Sequence, residues 1–303
     1  MGTKTQQQEK SRNPELDIVH VVEESALWHE RRQHWFRPVE DTEEHRALGR
    51  SILADWEHHV TAGRKEVFED RLQFDGLDRA TAELIAAGVR FLENQELPPW
   101  ACCLEGIMAR AKRNAGCTME QLESRFPWLE KNDTIPFAHI LAPFVEEGNE
   151  RLQGRVSALP ANLRALAWRD LQFFLLSSLS VFAATTLHVE FAVFQSNSER
   201  NPVALARHLD PAAAAERRLY AAFTARAFDS GLLQMANLYP VLFRALCEIT
   251  LCWVDSCSEF LHRLKADCLR LAALAGVNDL GQVTRIRTGL SDRHNSGRIT
   301  CVL

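Results

Sequence analysis

Asp170-Leu-Gln-Phe-Phe-Leu-Leu-Ser-Ser-Leu-Ser-Val-Phe-Ala-Ala-Thr-Thr-Leu-His-Val-Glu190 decides the fold class. Leu171 to Leu187 is the longest uncharged run of the chain, and its apolar residues fall on nearly every side of a helix. A membrane span needs about 20 predominantly apolar residues. This run falls short of that, carries Ser177, Ser178 and Ser180, and is bounded by Asp170 and Glu190. It reads as the middle of a central buried helix, opened by Pro160 and running to about Phe194. No membrane span is expected.

The flanking segments read as further helices. Leu16 to Phe36 carries Trp28 and Trp35 seven residues apart, on one helical face, as two core anchors. Asp41 or Thr42 is suited to cap a helix to about Val60, with Glu43 and Glu44 in its first turn. Asp78 precedes a helix over Ala80 to Glu93, and Trp100 to Arg113 forms another after Leu97-Pro-Pro. Thr118-x-x-Gln121 is a capping-box pattern. Asn132 to Pro136 marks a boundary, with a helix from Pro136 to Leu159. Asp210-Pro211 opens a helix to about Asn237, and Tyr239-Pro240 opens the next. In that last helix Leu242, Leu246, Ile249, Trp253, Phe260, Leu264 and Leu271 keep to one stripe, and Gly276 closes it.

After Gly276 the pattern changes. Val283-Thr-Arg-Ile-Arg-Thr288 and Ile299-Thr-Cys-Val-Leu303 are β-prone, with a turn signal at Asn295-Ser-Gly297. The fold expected is mainly α: a polar tail over 1–14, a large multi-helix body over 15–276, and a β-hairpin with a Gly-containing loop over 277–303. An isolated hairpin is marginal in water, so this one calls for further strands.

Composition narrows the function. The 303 residues hold 35 Lys and Arg against 40 Asp and Glu, a net charge of -5. A general nucleic-acid binder would show a basic face instead. None of the eight cysteines forms a Cys-x-x-Cys pair, so no zinc site is indicated. The polar N-terminus has no apolar signal region, and a cytoplasmic chain with reduced thiols is expected. Glu248, Asp255 and Glu259 read as a solvated face, and His58-His59 and His29/His34 lack a third ligand.

The loop between the expected strands carries the chemistry. Asp292 and His294 supply an acceptor and a titratable imidazole, and Arg298 a phosphate-compatible cation. Gly297 suits a turn whose N–H groups face phosphate. On spacing alone, Asp292-x-His294-x-x-Gly297 is also what an ordinary turn looks like.

Gly289-Leu-Ser-Asp292-Arg-His294-Asn-Ser-Gly297 followed by a strand resembles the signature of the dehydratase domain of class II lanthipeptide (lantibiotic) synthetases. Pro136-Phe-Ala-His-Ile-Leu-Ala-Pro143-Phe-Val is similar to that family's Pro-Phe…Pro-Phe-Val helix start. Thr186-Leu-His-Val-Glu190-Phe resembles its Thr-Leu-x-x-Glu-Leu-Asn helix. Tyr239-Pro240, Trp253 and Phe260-Leu-His-Arg263-Leu-Lys-Ala-Asp267 resemble the helix before the signature. The resemblance runs in order over about 90 to 303. It departs at Leu290 and Ser291, which intervene where the family's Asp follows its Gly directly.

The resemblance implies a helical body leading into a lipid-kinase-like core. It implies ATP-dependent phosphorylation of Ser and Thr in a ribosomal precursor (leader) peptide, with magnesium, then elimination of phosphate to dehydroamino acids. Asp292 and His294 would be the catalytic pair, Gly297 and Arg298 would face the nucleotide, and no zinc is implied. The family's later strand, catalytic loop and metal ligands follow the signature. On this reading the chain is a truncated dehydratase domain, inactive alone and completed by a downstream dehydratase/cyclase polypeptide. The alternative is a non-enzymatic helical module that binds peptide, or one half of a split synthetase.

Overall fold

The computed structural model describes residues 16–126, 129, 135–156, 165–199, 212–278 and 281–288, the side chains of 198–199 and 212–216 excepted. The polar tail over 1–14, the Pro160 and Asp210-Pro211 helix starts, and the loop from 289 onward lie outside them. The described chain is mainly helical, with one two-stranded sheet. Contacts divide it into two units: Asp17–Ala101 with Tyr239–Val241, and Cys102–Leu238 with Leu242 onward.

The smaller unit holds α1 (Ile18–Ser25), α2 (Trp28–Arg31), β1 (Phe36–Pro38), α3 (Glu43–Thr61), α4 (Lys65–Phe74), α5 (Arg79–Ala86) and β2 (Val89–Phe91). Thr42 caps α3, its hydroxyl accepting from the His45 N–H at 3.2 Å. Asp78 caps α5 in the same way, accepting from the Thr81 N–H at 2.7 Å. That hydrogen bond holds the Asp78 carboxyl below its ordinary range. Leu53, Phe68, Leu72, Ala82, Ile85 and Val89 form the core. Trp28 stacks on Trp56 at 4.9 Å, and Trp56 meets Phe68 edge-on at 5.0 Å.

Two expected helices end early here. Residues 16–36 break at Ala26, and Phe36–Pro38 pairs antiparallel with Val89–Phe91, setting Phe36 opposite Phe91. The partner strand lies about fifty positions away, so local periodicity could not reveal it. Trp35 is 37% exposed and is not a core anchor, whereas Trp28 packs against the core. The helix expected over Ala80–Glu93 stops at Ala86, because Gly88 takes φ 143°, a left-handed value that turns the chain into β2.

The larger unit holds α6 (Pro99–Arg113, from Cys102 onward), α7 (Met119–Arg125), α8 (Ala138–Arg155) and α9 (Ala165–Glu199). It continues with α10 (Ala212–Arg226), a π-helical turn (Ala227–Gly231), α11 (Leu232–Leu238) and α12 (Pro240–Leu274, from Leu242 onward). The capping box at Thr118 and Gln121 forms as its spacing predicts. Gly148 is a point of close helix packing: a Cβ there would lie 3.1 Å from Thr250, 3.2 Å from Leu175 and 3.4 Å from Trp253. Glycine thus lets α8 approach α9 and α12 closely. The Trp253 indole N–H donates to the buried Leu171 carbonyl at 3.0 Å.

By length and composition α9 is long and apolar enough to cross a membrane, and 44% of its most apolar window is buried. A core helix has the same profile. Leu171, Leu175, Leu176, Leu179, Ala183 and Leu187 are buried, while Phe173, Val181, Phe182, Val189 and Val193 are exposed. The helix is therefore apolar on both sides but buried on one. Along α12, Leu246, Trp253 and Leu264 are buried as expected, and Cys247, Thr250, Val254, Cys257 and Leu261 widen the stripe. Gly276, at φ 70°, ends it with the paired closure Val277 N–H to Ala272 O and Gly276 N–H to Ala273 O. In the C-terminal region Val283 and Arg287 make isolated bridges instead of the strand expected over 283–288, and the expected turn and second strand lie outside the described residues.

Gly49 on α3 faces α5 so closely that a Cβ would sit 1.8 Å from the Glu83 carbonyl oxygen. The blocking atom is backbone, so no rotamer relieves it. Gly49→Ala is expected to destabilise the protein by at least the ~1–3 kcal/mol typical of overpacking. A thermal melt unchanged from the parent would contradict this packing.

Candidate functional site

Asp292, His294, Gly297 and Arg298 lie outside the described residues, so the structure gives no geometry for them. It does show how the chain leading to them is held. Asp170 on α9 receives the Arg285 guanidinium, with Nε at 2.9 Å and Nη2 at 3.0 Å, and the Ile286 N–H at 2.8 Å. Val283 and Ile286 are buried on either side. One carboxylate thus binds a side chain and the adjacent backbone, and the foot of the loop is tied to α9. The hydrogen bonds to Asp170 raise the Arg285 pKa above its ordinary value. Arg285, in the β-prone run before the loop, is engaged by Asp170. Arg287 is exposed.

A buried charge cluster joins α6 to α8. The Arg110 side chain is 8% exposed and the Glu147 side chain 7%. Arg110 Nε donates to Glu147 at 2.7 Å and its Nη2 to Glu150 at 2.6 Å. Arg151 Nε donates to the other Glu147 oxygen at 2.5 Å. Arg125 donates to Glu146 at 2.6 Å and to Asn114 at 2.8 Å. Gly106 makes the room: a Cβ there would fall 2.6 Å from the Glu147 carboxylate. Burial works to lower the Arg110 pKa, but hydrogen bonds to Glu150 and Glu147 outweigh it and hold the guanidinium charged. Arg110, Glu147 and Arg151 are paired with one another, which suits a structural lock, while Glu146 Oε2 and Asn114 Nδ2 are buried without a hydrogen-bond partner.

A second polar chain crosses α7, α8 and α10. The Tyr220 hydroxyl lies 3.4 Å from His139 Nδ1, and His139 Nε2 lies 3.3 Å from Glu123. Burial pushes the Tyr220 phenol up to about 12, so it stays protonated. Phe137, Phe191 and Phe223 surround this chain. Sequence reasoning missed both clusters. The one available signal was Glu146-Glu147 inside the otherwise apolar start of α8.

The acidic face named from sequence is engaged in ion pairs: Glu248 with Arg244, Asp255 with Arg155, and Glu259 with Arg263. Among the described residues no three His, Cys, Asp or Glu side chains could hold a metal. Cys103 and Cys247 are buried and free, and burial pushes the Cys247 thiol well up. A raised thiol is a poor nucleophile.

Residues 239–303 match the family model described as a domain of unknown function (DUF4135), a domain found in lanthionine synthetase-related proteins. The matched stretch contains α12, the Arg285 anchor and the Asp292-x-His294-x-x-Gly297 string. No curated protein matches the chain.

Glu147→Gln strips Arg110 and Arg151 of their shared carboxylate and should cost about 3–5 kcal/mol, the usual loss on breaking a buried pair. Glu150 is 73% exposed, and Glu150→Gln should cost at most ~1 kcal/mol. Equal losses from the two variants in denaturant titration would refute the lock. The pH response follows in sign. Hydrogen bonding to Arg110 lowers the Glu150 pKa, so its contribution is present above the unfolded value and is lost as pH falls through the folded one. Glu150→Gln should therefore make stability less sensitive to acid over that interval.

Proposed function

We propose that this protein is a dehydratase-type module of lanthipeptide biosynthesis, acting with ATP and magnesium on Ser and Thr of a ribosomal precursor peptide in the cytoplasm. The supporting observation is the family match over 239–303, which coincides with the segment carrying Asp292, His294 and Gly297. The Pro136, Thr186 and Tyr239 helix motifs add to it, because they occur in family order.

In this reading the helical body holds the active loop in place. Asp170 ties the loop's foot to α9 through Arg285 and the Ile286 N–H. Phosphoryl transfer depends on holding nucleotide, metal and acceptor in register, so such an anchor bears on rate. Magnesium-ATP supplies the transferable phosphoryl group. Arg298 and the N–H groups near Gly297 are the groups suited to face phosphate, with Arg287 as the nearest exposed cation in the described chain. Asp292 and His294 are suited to proton transfer at the peptide hydroxyl and in the later elimination.

A second reading is favoured by the exposed Val181, Phe182, Val189 and Val193 on α9. Such a face suits a helical module that binds peptide or another polypeptide without catalysis.

The test supplies ATP, magnesium and a Ser/Thr-containing precursor peptide, with and without a downstream kinase-core polypeptide, and follows peptide mass. Phosphorylated and then dehydrated peptide is expected when the core polypeptide is present. Asp292→Asn or His294→Ala should slow it by about 10²–10⁴-fold, the scale of acid–base groups. Asp170→Asn should slow it less, by loosening the anchor. Peptide binding with no ATP consumption in either arm would sink the catalytic reading and leave the binding module.

A further inference from the structure

A cavity of about 490 Å³ lies beside the π-helical turn, walled by α6 on one side and by the turn and α11 on the other. Its lining is mixed: Met108, Phe228, Leu232 and Leu233 form the apolar part, and Lys112 and Asp229 bring one cation and one anion to it. Both charged side chains are exposed, and neither makes an ion pair or hydrogen bond among the described residues. Both charges are met by solvent, so a ligand that carries both signs can engage the two at once. The volume falls within the ~300–1,000 Å³ of small-molecule sites, which combine apolar walls with a few placed polar groups.

We propose that this cavity binds a small zwitterion with an apolar body, the chemistry of a free apolar α-amino acid or a short apolar peptide. The carboxylate goes to Lys112, the ammonium to Asp229, and the side chain against Met108, Phe228 and Leu232. The charges select this class. An anion gains from Lys112 but is repelled by Asp229, and a cation meets the reverse. An uncharged apolar molecule leaves both unanswered. Only a ligand carrying both signs satisfies both.

The π-turn places one of the two charges. Its hydrogen bonds span one residue more than those of an α-helix, and such turns persist mostly where function needs them. Restoring α-helical register by removing one residue would swing Phe228 and Asp229 by roughly 100° relative to α11. Gly231 serves the same geometry, since a Cβ there would lie 3.1 Å from the Arg226 carbonyl oxygen. The site is independent of the dehydratase reading, and its test involves no nucleotide.

The experiment is calorimetric titration of the full chain with five probes. These are L-phenylalanine, the dipeptide L-Phe-L-Phe, N-acetyl-L-phenylalanine (anion only), L-phenylalanine amide (cation only) and glycine. The expected result is binding of the two apolar zwitterions, with the single-charge derivatives and glycine weaker by about tenfold or more. Which zwitterion binds more tightly identifies the source, free amino acid or peptide. Lys112→Met should weaken L-phenylalanine by about tenfold and erase its advantage over the amide. Asp229→Asn should erase its advantage over the N-acetyl form. Both residues are exposed, so melting curves should be unchanged. Leu232→Trp, which fills the cavity, should abolish binding of every probe. Absence of zwitterion binding at millimolar concentration, or binding indifferent to both charge variants, overturns the proposal.

Discussion

Arg110 and Glu147 sit on facing helices, and neither can be buried without the other. An isolated charge in the interior costs several kcal/mol even after relaxation, and that cost is met only when partner and hydrogen bonds are in place. Here Glu147 receives Arg110 on one oxygen and Arg151 on the other, in space that Gly106 leaves open. The arrangement tolerates little sliding, because moving α6 against α8 by one residue would bring a Cβ or an apolar side chain against the carboxylate. The register of the two helices is thereby specified, which hydrophobic contact alone specifies poorly.

From that junction the rest of the larger unit follows by contact. One residue beyond Glu147, Gly148 brings α8 against Leu175 on α9 and against Thr250 and Trp253 on α12. Trp253 in turn donates to the Leu171 carbonyl, next to Asp170. Asp170 then holds Arg285 and Ile286, where the chain enters the segment carrying Asp292 and His294. A continuous path of packed groups therefore joins the buried ion pairs to the foot of the proposed active loop. The family match over 239–303 covers its last links, and the Arg110–Glu147 junction lies well outside that match.

The π-turn shows how the same helices support a second kind of feature. α10 and α11 would form one regular helix but for Ala227–Gly231, where the register is offset. Apolar pattern alone gives no reason for the offset. The cavity it lines, with Lys112 and Asp229 at it, does. The buried Arg110–Glu147 pair holds the fold, while the solvated Lys112 and Asp229 are open to the proposed ligand.

The sequence by itself determined what depends on neighbours along the chain. Thr42, Asp78 and Thr118 cap helices because their oxygens reach N–H groups within three residues. Gly276 ends α12 because a left-handed residue closes the last carbonyls. The helical class follows from the apolar period. Tertiary structure alone decided whatever needs a partner far away. The pairing of Phe36 with Phe91, the one-sided burial of α9, the spending of Arg285 on Asp170, and the burial of Arg110 with Glu147 are all of this kind. A charged residue in an amphipathic helix looks the same in sequence whether it faces water or a counterion across the core. Only the packing of the helices, through desolvation and distance, separates the two.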